Sequence, residues 1–212
     1  MDSVTSQALA DKEQRQRSRE RALAATVRTV AAHLPAAAPA AAQPGFVILS
    51  GLPGSGKSVL ARRLQPQLPA TIVETDHVRR LIYRAPSYTN AESAWVYVVC
   101  HTLIERLLSQ SLSVIFDATN LVERNRATLY EIAGRCQSRM VIVHTVAPEL
   151  VIEERMLRRS QRLDADDRSD AGMAVYLKLR ETEQPIGQPH LVVDTSQDGE
   201  ESLRRILYVC RG

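Results

Sequence analysis

The sequence predicts an α/β fold: a five-stranded parallel sheet with helices on both faces. Two observations lead to it. Five short apolar runs recur through the chain, and segments of helical composition lie between them. FVILS (46–50) is apolar throughout its first four residues, as expected of a central strand buried on both faces. TIVET (71–75), SVIFD (113–117), MVIVHTV (140–146) and HLVVDT (190–195) repeat the signal. Helices are expected at 57–68, roughly 91–110, 122–137, 148–161, 171–183 and 200–210. No internal repeat is visible.

Residues 1–44 read differently, as a helical extension and linker ahead of a domain at 45–212. Residues 11–21 are charge-dense, and RALAATVRTVAAHL (21–34) has helical composition with apolar residues at roughly helical spacing. LPAAAPAAAQPG (34–45) follows, and its prolines forbid a continuous helix. A short docking helix on a semi-rigid tether and a frayed tail both fit this pattern.

The chain has 212 residues, of which 44% are hydrophobic, so it can fill a core and is not disordered throughout. Aromatic residues are only 4%, which argues against a stacking platform for single-stranded bases. A net charge of +3 permits a nucleic-acid partner without requiring one. Of the 27 basic residues, 24 are arginine, whose planar fork suits phosphate oxygens. A genome that favours Arg and Ala codons would give the same bias. Either way Lys57 stands out. Cys100, Cys136 and Cys210 are odd in number and lack a CxxC pair, so a reducing cytoplasm is expected. Neither a membrane-spanning run nor a signal-peptide pattern is present, and nothing speaks to oligomeric state.

GLPGSGKS (51–58) fits G-x-x-x-x-G-K-[ST] between a buried strand and a helix, the setting that gives this motif its meaning. The fold is therefore expected to be a three-layer P-loop NTPase of the kinase type. Gly51, Leu52, Pro53, Gly54, Ser55, Gly56, Lys57 and Ser58 would cradle the phosphates of ATP. Backbone N–H groups and the helix start face the β-phosphate, Lys57 reaches the β/γ oxygens, and the Ser58 hydroxyl ligates Mg²⁺.

Transfer to an alcohol needs an acceptor-side base, and reactive groups gather at the carboxyl ends of parallel strands. Asp76 and Asp117 end two of the runs. Asp76 begins D-x-x-R with Arg79, where it serves as a base or simply caps a helix. Asp117 is placed as a Walker B aspartate for Mg²⁺, or as the start of an Asx-turn with Thr119 and Asn120. Ala118 stands where a motor ATPase would carry a second acid, which weighs against hydrolysis. Arg155, Arg158, Arg159 and Arg162 share one helical face and read as a lid over the nucleotide. A solvated basic face, or pairing with Asp164, Asp166 and Asp167, fits them too.

Together these segments resemble the P-loop kinases with AAA-type ATP-binding domains, which include polynucleotide kinase and zeta-toxin-like proteins. The matching elements are GLPGSGKS, Asp76 with Arg79, VIFDATNLVERNR (114–126), the arginines of 155–162, and HLVVDTS (190–196). The resemblance implies that Asp76 takes the proton of the acceptor hydroxyl and Arg79 meets an acceptor-side phosphate. It places the paired lid arginines on Arg158 and Arg162, with Arg155 and Arg159 as rival registers. ATP-dependent phosphotransfer follows, to a polynucleotide 5′-hydroxyl or a small molecule. A nucleotide-dependent binding module with incidental ATP turnover is the alternative.

Overall fold

The computed structural model describes residues 2–35, 41–160, 172–197 and 199–211. Five strands alternate with helices: β1 (Gly45–Ser50), β2 (Thr71–Glu74), β3 (Val114–Asp117), β4 (Arg139–Val146) and β5 (His190–Asp194). All neighbours pair in parallel, in the order β2-β3-β1-β4-β5. The helices are α1 (Asp2–Ala32), α2 (Lys57–Leu64), α3 (Thr75–Ile82), α4 (Asn90–Ser109), α5 (Glu123–Arg135), α6 (Glu149–Ser160), α7 (Met173–Arg180) and α8 (Glu200–Arg211). The expected sheet, helix order and three layers are all present.

β1 is buried along its whole length because it lies between β3 and β4 and has a core on each face. Phe46 and Ile48 point into one core with Val114, Phe116, α4 and α5. Val47 and Leu49 point into the other with Ile115, Val143, α2 and α8. Period-2 alternation thus turns one apolar run into two packed faces. The ends of helices follow local chemistry. α2 stops at Leu64 rather than 68 because Pro66 has no N–H to return. α4 starts at Thr89, whose hydroxyl accepts the amide of Glu92 at 3.2 Å.

The N-terminal segment departs most from expectation. α1 spans Asp2–Ala32, because 8–22 is rich in Ala, Arg, Gln and Glu, all good helix formers. Its second half docks on the chain's own core: Val27 and Val30 are buried there, with Leu23 and Leu34 packed beside them. Val30→Asp would bury a carboxylate at a position only 1% exposed. A cost of at least about 3 kcal/mol is expected, a fall of roughly 6–12 °C in melting temperature for a chain of this size. An unchanged thermal melt by circular dichroism would refute the packing. Among the described residues, no helix is long and apolar enough to cross a membrane.

Candidate active site

The loop after β1 closes into a cradle for two reasons. Gly51 and Gly56 take φ of 147° and 86°, and a Cβ would have no room at either. At Gly51 it would sit 2.5 Å from Thr145 Oγ1; at Gly56, 2.8 Å from Thr195 Oγ1. Side chains from β4 and the β5–α8 turn then fix the curl. Ser55 Oγ and Thr145 Oγ1 are hydrogen-bonded at 2.6 Å, and Thr195 Oγ1 donates to Ser55 O at 2.9 Å. Thr195 is aimed there by Asp194, whose Oδ1 accepts from Ser196 N and Oγ at 2.9 and 2.7 Å. Those bonds hold the Asp194 carboxyl below the usual range.

Lys57 lies inside the cradle, 9% exposed, with Nζ donating to Gly51 O and Leu52 O at 2.9 Å each. Gly56 caps α2 without a side-chain bond, so the amides of its first turn are available to an anion. Leu52 and Ser58 are half-buried, and Pro53, Gly54 and Ser55 are buried. The geometry fits a chain of phosphates.

Asp117 ends β3, beside the cradle and 3% exposed. The segment after it is tied to β1: Gly51 N donates to Thr119 O at 3.0 Å, and Ser50 Oγ to Asn120 O at 3.1 Å. Asn120 holds φ at 47°, a region that suits Asn, and its Nδ2 returns to Leu49 O at 2.7 Å. Arg126, fully buried, donates to Glu123, Asn120 O, Gln184 O and Pro185 O and anchors this segment from below. Among the described residues no cluster of three or more His, Cys, Asp or Glu could cage a metal. One buried carboxylate and one hydroxyl suit Mg²⁺ instead, which binds with substrate phosphates and keeps several waters. The donor set fits that ion.

Register carries the site across to β2. Glu74 pairs with Asp117, and the chain then turns directly into α3. Glu74 is the N-cap residue, so Asp76 lies within the first turn, half-buried, at the carboxyl edge of the sheet. Arg79, one turn on and 5% exposed, is held by α4. Its Nη1 meets Glu92 Oε1 at 2.7 Å, its Nη2 donates to Ser93 Oγ at 3.3 Å, and it stacks 4.5 Å from the Tyr88 ring centre. Its Nε is buried without a hydrogen-bond partner among the described residues. The structure thus engages in a clamp the arginine expected at an acceptor phosphate.

Burial pushes the Glu92 carboxyl up, but Arg79, Ser87 and the amides of Ser87 and Tyr88 pull it further down, to about 2. A depressed acid contributes stability that is present above its unfolded value and lost as pH falls through the folded one. Glu92→Gln is therefore expected to melt lower than wild type at pH 7. The gap should close between pH about 4.5, the ordinary value, and about 2. Parallel melting curves across that range would show that the pair contributes nothing. Tyr97 and His101 of α4 stack edge-on against each other and Phe116. Burial raises the Tyr97 hydroxyl and lowers the His101 imidazole to about 4, so this wall is uncharged near pH 7.

Helix α6 covers the cradle. Ile152 and Met156 pack with Leu52, and a Cβ on Gly54 would lie 2.9 Å from Ile152 Cγ2. Arg155 Nη1 donates to Gly54 O at 3.0 Å and Thr195 Oγ1 at 2.9 Å, and Nη2 to Thr195 O at 2.8 Å. Arg158 is exposed, and Arg162 lies outside the described residues, as do Asp164, Asp166 and Asp167. The register seen against the loop is that of Arg155. Thr145 and Thr195, which the sequence does not single out, are its partners in shaping the cradle; the DTS that follows the last apolar run is the one available signal.

Residues 46–186 match the family model described as AAA domain. The chain belongs to this family. This AAA domain is 26% identical over 173 residues to an L-seryl-tRNA(Sec) kinase of Methanococcus maripaludis, covering 77% of the chain. It spans only 65% of that relative's length. Among solved structures, Kti12 of Chaetomium thermophilum in complex with ADP-AlF3 superposes with a TM-score of 0.63 at 18% identity, covering 77% of this chain and 95% of that one. The APS kinase of Mycobacterium tuberculosis with AMPPNP and APS gives 0.62 at 16%, covering 80% and 99%. The fold is that of nucleotide-binding P-loop kinases.

Proposed function

We propose that the chain transfers the γ-phosphoryl group of ATP to a hydroxyl acceptor. The observation that carries this reading is the half-buried carboxylate of Asp76, two residues past Glu74, which pairs in register with Asp117 beside the cradle. A domain that only bound nucleotide has no use for a second carboxylate there, and a hydrolase would carry it directly after Asp117, where this chain has Ala118. The kinase relatives support the general chemistry; the choice of acceptor belongs to this chain.

In this reading residues 51–58 hold the phosphates through backbone N–H groups. Lys57 exchanges its bonds to Gly51 O and Leu52 O for the β/γ oxygens. Ser58 and Asp117 would hold Mg²⁺, which when bound would supply charge neutralisation on the transferring group. Asp76 takes the acceptor proton as the new O–P bond forms and the bond from the γ-phosphorus to the β,γ-bridging oxygen breaks, releasing ADP. Arg79 orients α3, and with it Asp76, by clamping to Glu92. Arg155 keeps α6 on the loop, while Arg158 and Arg162 are the lid arginines for the transferring phosphoryl. Incubation with γ-labelled ATP and a panel of 5′-hydroxyl oligonucleotides, sugars and aminoglycosides tests the proposal. Label transferred to one class is expected. Release of free phosphate alone, unaffected by every acceptor, would point to a hydrolase.

A further inference from the structure

The start of α4 carries a capping-box pattern, with Thr89 at the cap and Glu92 three residues on. Such a glutamate ordinarily reaches back to the amide of the cap residue. Here Glu92 is turned elsewhere. Its Oε1 accepts from Arg79 Nη1 at 2.7 Å, and its Oε2 from Ser87 N and Oγ at 2.8 and 2.7 Å. The amide of Tyr88 donates to the same carboxylate. Those bonds fix Tyr88 at φ 54°, a region that a bulky L residue enters only under constraint, with its ring over Arg79. Glu92 therefore cannot swing away alone, because the amides of Ser87 and Tyr88 would lose their acceptor with it.

The consequence falls on Arg79. It lies one turn from Asp76 on α3, and α4 runs beside both: Tyr97 feels the charge of Asp76, and Cys100 that of Arg79. A guanidinium binds a phosphate through its N–H fork. In Arg79 that fork is taken. Nη1 is on Glu92, Nη2 donates to Ser93 Oγ at 3.3 Å, and the Tyr88 ring lies on the guanidinium. Nε is buried and presents no surface to a ligand. The two side chains of the pair are only 7% and 6% exposed. A phosphate arriving beside Asp76 meets a guanidinium already neutralised. Capturing that guanidinium would put a second negative charge next to Glu92 or leave Glu92 buried without its counter-charge. Building such a penalty against one class of ligand is a direct route to specificity.

We propose that Glu92 is a specificity-determining residue: by occupying Arg79 it rejects acceptors that carry a phosphate beside the reacting hydroxyl and admits unphosphorylated alcohols. Within the phosphotransfer reading on which this role rests, Glu92 reverses the contact that the resemblance implies for Arg79. Nitrogen-15 NMR tests the exclusion directly. The Nε–Hε signal of Arg79, identified by its absence in Arg79→Lys, is followed as inorganic phosphate is added at constant ionic strength. The protein is saturated with Mg²⁺ and AMPPNP, so that the cradle is already filled. In the wild type the signal should stay in place. In Glu92→Gln it should move and saturate, with a dissociation constant at least ~10-fold below any wild-type value. An equal shift in both proteins, or a shift in neither, would overturn the role of Glu92. Transfer gives the second readout, with glycerol against glycerol 3-phosphate and adenosine against adenosine 3′-phosphate as matched acceptors. The wild type should favour the unphosphorylated member at least ~10-fold in kcat/KM, and Glu92→Gln should narrow that gap. Equal or better use of the phosphorylated member by the wild type would overturn the role even if Glu92→Gln does not fold. Transfer to no acceptor of either kind, with the phosphate shift confined to Glu92→Gln, would sink the phosphotransfer reading and leave the exclusion standing.

Discussion

Lys57→Ala is expected to reduce phosphotransfer at least ~100- to 1,000-fold, the scale seen when a donor aimed at developing transition-state charge is removed. Two effects combine. The compact ammonium on the β/γ oxygens is lost, and so are the bonds from Nζ to Gly51 O and Leu52 O that brace the cradle before nucleotide arrives. ATP affinity should therefore fall together with turnover. Lys57→Arg is expected to recover little, because a planar fork cannot repeat the bonds of a point charge in so closed a loop. Equilibrium binding of a fluorescent ATP analogue and single-turnover transfer measure the two effects separately. Turnover at the wild-type rate in Lys57→Ala would remove the basis for every role assigned around the loop.

The parts of this molecule that are legible in its sequence are those ruled by local backbone physics. A buried parallel strand must be apolar on both faces, so the FVILS run alone identifies a central strand. A phosphate loop needs glycine where φ is positive, so Gly51 and Gly56 announce themselves. What stays hidden depends on tertiary neighbours. Thr195 and Arg155 are 140 and 101 positions from the loop atoms they hold, so although both stand in segments the sequence marks, nothing local says what they touch. Helical spacing alone leaves the register of the four arginines open; what it cannot show is that Ile152 and Met156 pack with Leu52 and bring Arg155 onto the loop. Arg79 reads as open to an acceptor because its partner Glu92 lies on another helix, beyond the α3–α4 turn. α1 is longer than its sequence suggests because its first half has no apolar face, so the periodicity that reveals amphipathic helices is missing there.

Asp76→Asn is expected to lower transfer to the acceptor at least ~100-fold while leaving the protein folded and able to bind ATP. Stability should survive for a specific reason. Glu74, not Asp76, is the N-cap residue of α3, and Asn keeps the size of Asp and much of its hydrogen-bonding capacity. It gives up the interaction of a carboxylate with the first turn of the helix, worth about 0.3–1 kcal/mol at an exposed position. A melting temperature within a few degrees of wild type follows. Activity should not survive, since an amide of the same shape cannot accept the acceptor proton, and loss of a general base typically costs on the order of 10²–10⁴ in rate. Slow background hydrolysis of ATP should persist, because uncatalysed attack by water through a loose, metaphosphate-like transition state does not require Asp76. The ratio of transfer to hydrolysis is therefore the sharpest readout. It should collapse in Asp76→Asn and fall by a smaller factor in Glu92→Gln, which loosens the clamp that positions Asp76 but leaves its carboxylate in place. Full transfer activity in Asp76→Asn would return Asp76 to a helix-dipole role, and the phosphotransfer reading would lose the carboxylate it depends on.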